Sequence, residues 1–223
     1  MKKILLLTLT ITFIGIAIPH KIYASDITIG ATAWYAWMER HPDNFPTEKL
    51  GSALLYGPVL SVKYNEDYNL TFIFLYGKYD EFEKRDSDLA LNYRLNNYLK
   101  LFIGTKYMGY TDALIQHNAF GPGAGVSATV PVTNDIFLLA TLSGLYLFGN
   151  EKFDDSVVIE EDVLNEYGVN GALAFAYYIA DYSTAISVGW RYQYYKTDYK
   201  EKALNIKTSC YGITLTATYT FGI

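Results

Sequence analysis

Ten stretches of the chain alternate apolar residues with small or polar ones, and the apolar set is almost free of charge. In the last of them Tyr211, Ile213, Leu215, Ala217, Tyr219 and Phe221 share one face, while Gly212, Thr214, Thr216, Thr218 and Thr220 share the other. Side chains of a β-strand point to alternate faces, so a period of two sets one face of each stretch against an apolar medium. A soluble barrel turns its bulky residues inward. Here the small face cannot fill a core, and the aliphatics and aromatics must coat the outside. The pattern predicts an all-β protein, a transmembrane antiparallel up-and-down β-barrel turned inside-out relative to a soluble one.

The predicted strands run over 27–37, 54–64, 68–78, 88–95, 98–110, 120–132, 136–148, 167–179, 182–194 and 210–221. Four connections are short and rich in turn residues: Asn65-Glu66-Asp67, Asn96-Asn97, Thr133-Asn134-Asp135 and Ala180-Asp181. The other five, over 38–51, 79–87, 111–119, 149–166 and 195–209, are long, and the two kinds alternate strictly. An even strand number with short turns at one end and long loops at the other is the bacterial outer-membrane arrangement, with both termini periplasmic. Pro58 sits inside the second stretch, where it can donate no ladder hydrogen bond; a bulge or a later strand start is expected there.

Register follows from the turns. Pairing Tyr64 with Tyr68 places Leu60 beside Phe72 outside and Ser61 beside Thr71 inside. Pairing Leu95 with Leu99 sets Leu91 against Ile103 outside and Asp88 against Lys106 inside. Val132 opposite Ile136 puts Gly125 by Ser143 and Ser127 by Thr141 in the lumen. The fourth turn brings Phe175 to Ile186 outside and Asn170 to Arg191 inside. All four hairpins put bulk outside. Lys78 is the one charged residue on the outward face, at the loop end, where it can snorkel. Trp37, Tyr76, Tyr107, Tyr146, Tyr167 and Tyr194 form one aromatic belt, and Tyr64, Tyr68, Tyr177 and Tyr219 the other.

The amino terminus sets the compartment. Lys2 and Lys3 precede an apolar run over 4–18, and Ile22-Tyr23-Ala24 before Ser25 offers a small-residue cleavage site. Residues 1–24 are therefore expected to be a cleaved secretory signal peptide and 25–223 a single barrel domain. Composition agrees: 22 Tyr, 12 Phe and 17 Gly in 223 residues suit aromatic girdles around a small-residue lining. Loss of Lys2, Lys3 and Lys21 leaves 15 Lys+Arg against 23 Asp+Glu, an acidic chain that argues against a nucleic-acid partner. The lone cysteine, Cys210, can form no internal disulfide and reads as a small wall residue.

From leader to last strand the chain resembles bacterial outer-membrane β-barrel proteins. That likeness is carried by the strand–turn–strand rhythm and the closing Tyr219-Thr220-Phe221, after which Gly222 and Ile223 depart from the usual aromatic terminus. The resemblance implies residence in the outer membrane, contact with its lipid and lipopolysaccharide, and handling by the barrel-assembly machinery.

Function must be read from the lumen and the loops. The charged lining candidates are Lys63, Arg94, Lys100, Lys106 and Arg191 against Asp88. A basic constriction selects anions. The same cations paired with Asp88 and with acids of infolded loops would instead hold the wall together. Two functions stay open: a narrow, low-selectivity pore with weak anion preference, and a non-conducting structural or surface-binding barrel whose loops engage a partner. Enzymatic chemistry is not expected, because His41 and His117 both read as surface-loop residues without a catalytic partner. No cofactor is implied. The acidic 149–166 segment reads as a solvated loop, with divalent-cation binding as its sharper alternative.

Overall fold

The computed structural model describes residues 26–43, 45–155, 158–200 and 205–222, with the side chains of 153–161 excepted; the expected signal peptide lies outside them. Ten strands form: β1 Asp26–Pro42, β2 Glu48–Lys63, β3 Tyr68–Lys78, β4 Glu83–Arg94, β5 Leu99–Thr111, β6 Ile115–Pro131, β7 Ile136–Asp155, β8 Val158–Ile179, β9 Thr184–Tyr199 and β10 Asn205–Gly222. Each pairs antiparallel with its chain neighbours, and β10 returns to β1 to close the barrel. The chain thus has the fold of an outer-membrane β-barrel. Closure leaves no strand edge in contact with lipid, which the hydrocarbon region requires.

Local chemistry makes the turns. The Asn65 side-chain oxygen accepts from the backbone N–H groups of Asp67 and Tyr68, and Asn96 does the same for Tyr98 and Leu99. Thr133 repeats the device for Asp135 and Ile136. These side chains stand in for backbone acceptors and hold the chain in tight reversals. Three hairpins take the expected register: Leu60 meets Phe72, Asp88 meets Lys106, and Ser127 meets Thr141. The fourth is shifted by two residues. Phe175 meets Val188 and Ala172, not Asn170, meets Arg191, because the turn is a 3-10 helix over Ala180–Tyr182 followed by Ser183 at φ 46°. A shift of two returns every side chain to its face, so inside and outside are unchanged.

The bulky set does coat the exterior. Ile103, Leu142, Leu173, Phe175 and Leu215 are all exposed. At the extracellular interface Trp37 stacks on Trp190 and Tyr211, with ring centroids 6.2 and 6.1 Å apart. Amphipathic rings settle at headgroup level for this reason.

The five long connections are corrected. Most of their residues are strand: β4 starts at Glu83, β6 at Ile115, and β7 and β8 run into the 149–166 segment as one hairpin. Spanning needs about 9–11 tilted residues, so the 20 and 22 residues of β7 and β8 carry the barrel well beyond the bilayer. Above the membrane the outward face meets water, becomes polar, and loses the alternation that marks a strand. The bulge expected at Pro58 is also corrected. Pro58 pairs with Ala31 of β1, the β2–β3 ladder lapses between Tyr56 and Val59 without changing register, and the β1–β2 register shift falls at Trp37/Glu39.

Candidate functional site

Inward-facing residues divide the lumen into three levels. The periplasmic level is lined by small hydroxyl, amide and glycine positions. Thr28 bonds Thr220 at 2.8 Å, Thr32 bonds Thr216 at 2.7 Å, and Ser61 bonds Thr71 at 3.3 Å, so cross-strand hydroxyls satisfy one another. A cavity of about 290 Å³ opens among Thr71, Asn92, Phe102, Ser127, Thr141 and Asn170.

A charged belt roofs that cavity. Lys106 Nζ lies 2.5 Å from Asp86 Oδ1 and 3.0 Å from Asp88 Oδ1. Arg191 donates through Nη2 to Asp88 Oδ2 at 3.3 Å and through Nε to Asn170 Oδ1 at 3.3 Å, while its guanidinium lies 4.7 Å from the Trp34 ring centroid. Gln193 donates to Asp86 Oδ2 at 3.3 Å. A buried ion pair is stable only when further hydrogen bonds satisfy both groups, and Asp86 meets that condition through Lys106 and Gln193.

The third level is packed. Trp34, Met38, Leu55, Leu75, Tyr79 and Cys210 form one buried cluster, and Met108, Leu145, Leu147, Leu164 and Tyr195 form another. The small-residue lining expected of the lumen therefore holds toward its periplasmic end and not here. The same strands that carry Gly and Thr near the periplasm carry Trp, Leu and Met on the same face farther up. Cys210 is fully buried there, its Sγ 3.6 Å from the Tyr79 hydroxyl.

Beyond the extracellular aromatic belt, a second buried polar network ties the projecting strands together. His117 is a buried strand residue of β6, which corrects its reading as a loop residue. Its Nδ1 lies 3.3 Å from Glu151 Oε2 and its Nε2 3.2 Å from Glu166 Oε1. Tyr110 and Tyr199 donate hydroxyls to Glu151 at 2.6 and 2.9 Å, and Thr197 donates to Glu166 at 2.7 Å. The Tyr110 ring stacks on the imidazole with centroids 4.3 Å apart. Burial opposes the charged imidazolium, but Glu166 and Glu151 outweigh it and raise the His117 pKa. Burial likewise opposes ionised Glu151, yet the hydrogen bonds from His117 and Tyr110 prevail and hold it at about 2. His41 is likewise a strand residue, at the end of β1, with Nδ1 2.8 Å from Thr47 Oγ1. Among the described residues no group of three His, Cys, Asp or Glu is placed to hold a metal ion.

The six lining candidates fall into two groups. Asp88, Lys106 and Arg191 meet in the belt. Lys63, Arg94 and Lys100 stand nearer the periplasmic mouth, where Lys63 bridges Asp26 at 3.2 Å and Arg94 bonds the Asn97 side chain. Asp86, Lys84, Gln193, Glu151 and Glu166 escape the sequence reading or are taken as loop acids. Extending the period of two back from Asp88 reaches Asp86 and Lys84. That signal is faint because the intervening Ser87 and Arg85 are as polar as the lining.

No family model and no curated protein matches the sequence. Solved structures do. The outer membrane protease OmpT of Escherichia coli superposes with a TM-score of 0.64 at 10% identity, over 91% of this chain and 99% of that one. The attachment invasion locus protein Ail of Yersinia pestis matches at a TM-score of 0.40 and 13% identity, over 89% and 100% of the chains. Neisserial surface protein A matches at 0.40 and 12%, over 85% and 96%. At these identities the likeness concerns the fold.

Proposed function

We propose that this chain is an exported outer-membrane barrel, sealed in its extracellular half, that serves as a structural or surface-binding protein and not as a standing pore. The observation that carries this is the packed third level of the lumen, where Trp34, Leu55, Leu75, Leu147 and Leu164 are buried between the charged belt and the His117 network. Well-packed interiors leave few voids larger than a water molecule, and burial of these side chains supports a lumen closed to solutes at this level. The 149–166 segment of the β7–β8 hairpin is acidic in sequence, which suits cationic partners. Lipopolysaccharide phosphates suit Lys78 and Arg85 on the outward rim, and the assembly machinery would read Tyr219 and Phe221 at the end of β10.

Planar-bilayer recording tests this. Folded protein, verified by heat-modifiable gel migration, should leave the membrane silent at loads where a porin control conducts. Discrete conductance steps with a reversal potential shifted toward anions would overturn the sealed barrel and restore the narrow anion pore.

A further inference from the structure

Cations in the lumen have carboxylates beside them at one level and not at another. In the belt every cation has a carboxylate at hand: Lys106 and Arg191 face Asp86 and Asp88, and buried Lys84 lies near Asp86. Three inward positions nearer the periplasm, Arg94 and Lys100 are direct cross-strand partners on the inward face. Lys63 joins them on the same face through the row Lys63–Asn69–Asn92. Lys63 has Asp26, but among the described residues no carboxylate lies within ion-pair distance of Arg94 or Lys100. A cluster kept for stability alone would not bring like charges together without a counter-charge.

Directly above this collar is the 290 Å³ cavity. Ser127 pairs with Lys100 itself, and Asn92 and Phe102 flank the two cations along their strands. The cavity lining supplies hydroxyls and amides from Thr71, Asn92, Ser127, Thr141 and Asn170, while its only carboxylate, Asp88, is already engaged by Lys106 and Arg191. We propose that the periplasmic half of the lumen is a binding vestibule for a small organic oxyanion. Its phosphate or carboxylate sits on Arg94 and Lys100, and its polar body lies among the hydroxyl and amide groups above. The guanidinium fork matches an oxyanion with two parallel hydrogen bonds, and the low-dielectric wall strengthens the attraction. The vestibule needs only access from the periplasm, so it stands or falls separately from the sealing of the extracellular half.

Isothermal titration of the folded barrel in zwitterionic micelles with glycerol 3-phosphate, and with glycerol as the uncharged control, tests it. Glycerol 3-phosphate should bind saturably at one site, and glycerol should not. Arg94→Gln and Lys100→Gln should each weaken binding about tenfold, the expected loss for one charge-assisted hydrogen bond. Both variants should unfold no more easily than the parent, since each removes repulsion. Lys152→Gln, exposed at the far end, should bind as the parent does. In a second measurement, the thiol of Ser127→Cys should react faster with an anionic than with a cationic methanethiosulfonate, and Lys100→Gln should abolish that preference. Failure of glycerol 3-phosphate to saturate, unchanged binding in Arg94→Gln and Lys100→Gln, or equal reaction with both reagents would each overturn the proposal.

Discussion

Replacing His117 by Gln removes a cation that buried Glu166 and partly buried Glu151 share. Glu166 is fully buried, and its Oε2 already has no hydrogen-bond partner among the described residues. Glu151 would keep the Tyr110 and Tyr199 hydroxyls but lose the charge that opposes its own. Breaking a buried pair by deleting one partner costs about 3–5 kcal/mol, most of it from the charge left behind. The His117→Gln variant should therefore unfold in urea at a clearly lower midpoint, followed by tryptophan fluorescence in micelles. The pH dependence fixes the sign. His117 is raised above its ordinary 6.5, so its stabilisation is complete below that value and is lost as pH climbs through the raised one. Glu151 is depressed to about 2, so its share is complete above its ordinary 4.5 and is lost as pH falls toward 2. The network should contribute most between 4.5 and 6.5. The parent should weaken on the alkaline side, and the variant should lose that slope. A loss under about 1 kcal/mol, the range of an exposed pair, or an unchanged alkaline slope would refute the shared-cation account.

Two further perturbations test the belt and the wall. Lys106→Met should destabilise the barrel by about 3–5 kcal/mol by stranding buried Asp86, and the Lys106→Met/Asp86→Leu pair should recover most of the loss in the same urea assay. Gly104→Ala should cost roughly 1–3 kcal/mol or reduce folding yield, because a Cβ there would run into the backbone carbonyl of Leu89. Gly144→Ala, whose nearest neighbour to the new methyl is the Gly168 oxygen at 4.0 Å, should stay within about 0.5 kcal/mol of the parent.

The sequence carried the barrel's spanning zone almost whole, because lipid on one side forces a strict period of two there. Leu60 opposite Phe72 and Leu91 opposite Ile103 follow from turn chemistry alone. The fourth turn misled by two residues, since Ser183 takes a left-handed conformation that its residue type does not announce. Above the membrane the signal failed for a physical reason. Residues such as Arg85, Lys152 and Lys196 face water there, and an outward polar residue looks no different from a loop residue. That is why His117, Glu151 and Glu166 went unread as a unit. Their juxtaposition depends on three strands continuing in register past the bilayer. The belt was half legible: Asp88, Lys106 and Arg191 lie within the spanning zone, and Asp86 lies one alternation beyond the strand the pattern defined.

The seam between β1 and β10 pairs residues without interruption from Asp26 with Gly222 to Pro42 with Ile206. Every other ladder joins strands adjacent in the chain and can zip from a local turn. This one joins the two ends of the barrel, so it has the highest contact order in the molecule and cannot form until the last strand has been made. Until then two long rows of backbone donors and acceptors stay open, each a template for pairing with a foreign strand. Once shut, the seam is an unbroken ladder. The molecule's kinetic vulnerability therefore lies where its finished structure is continuous, in the interval before the two termini meet.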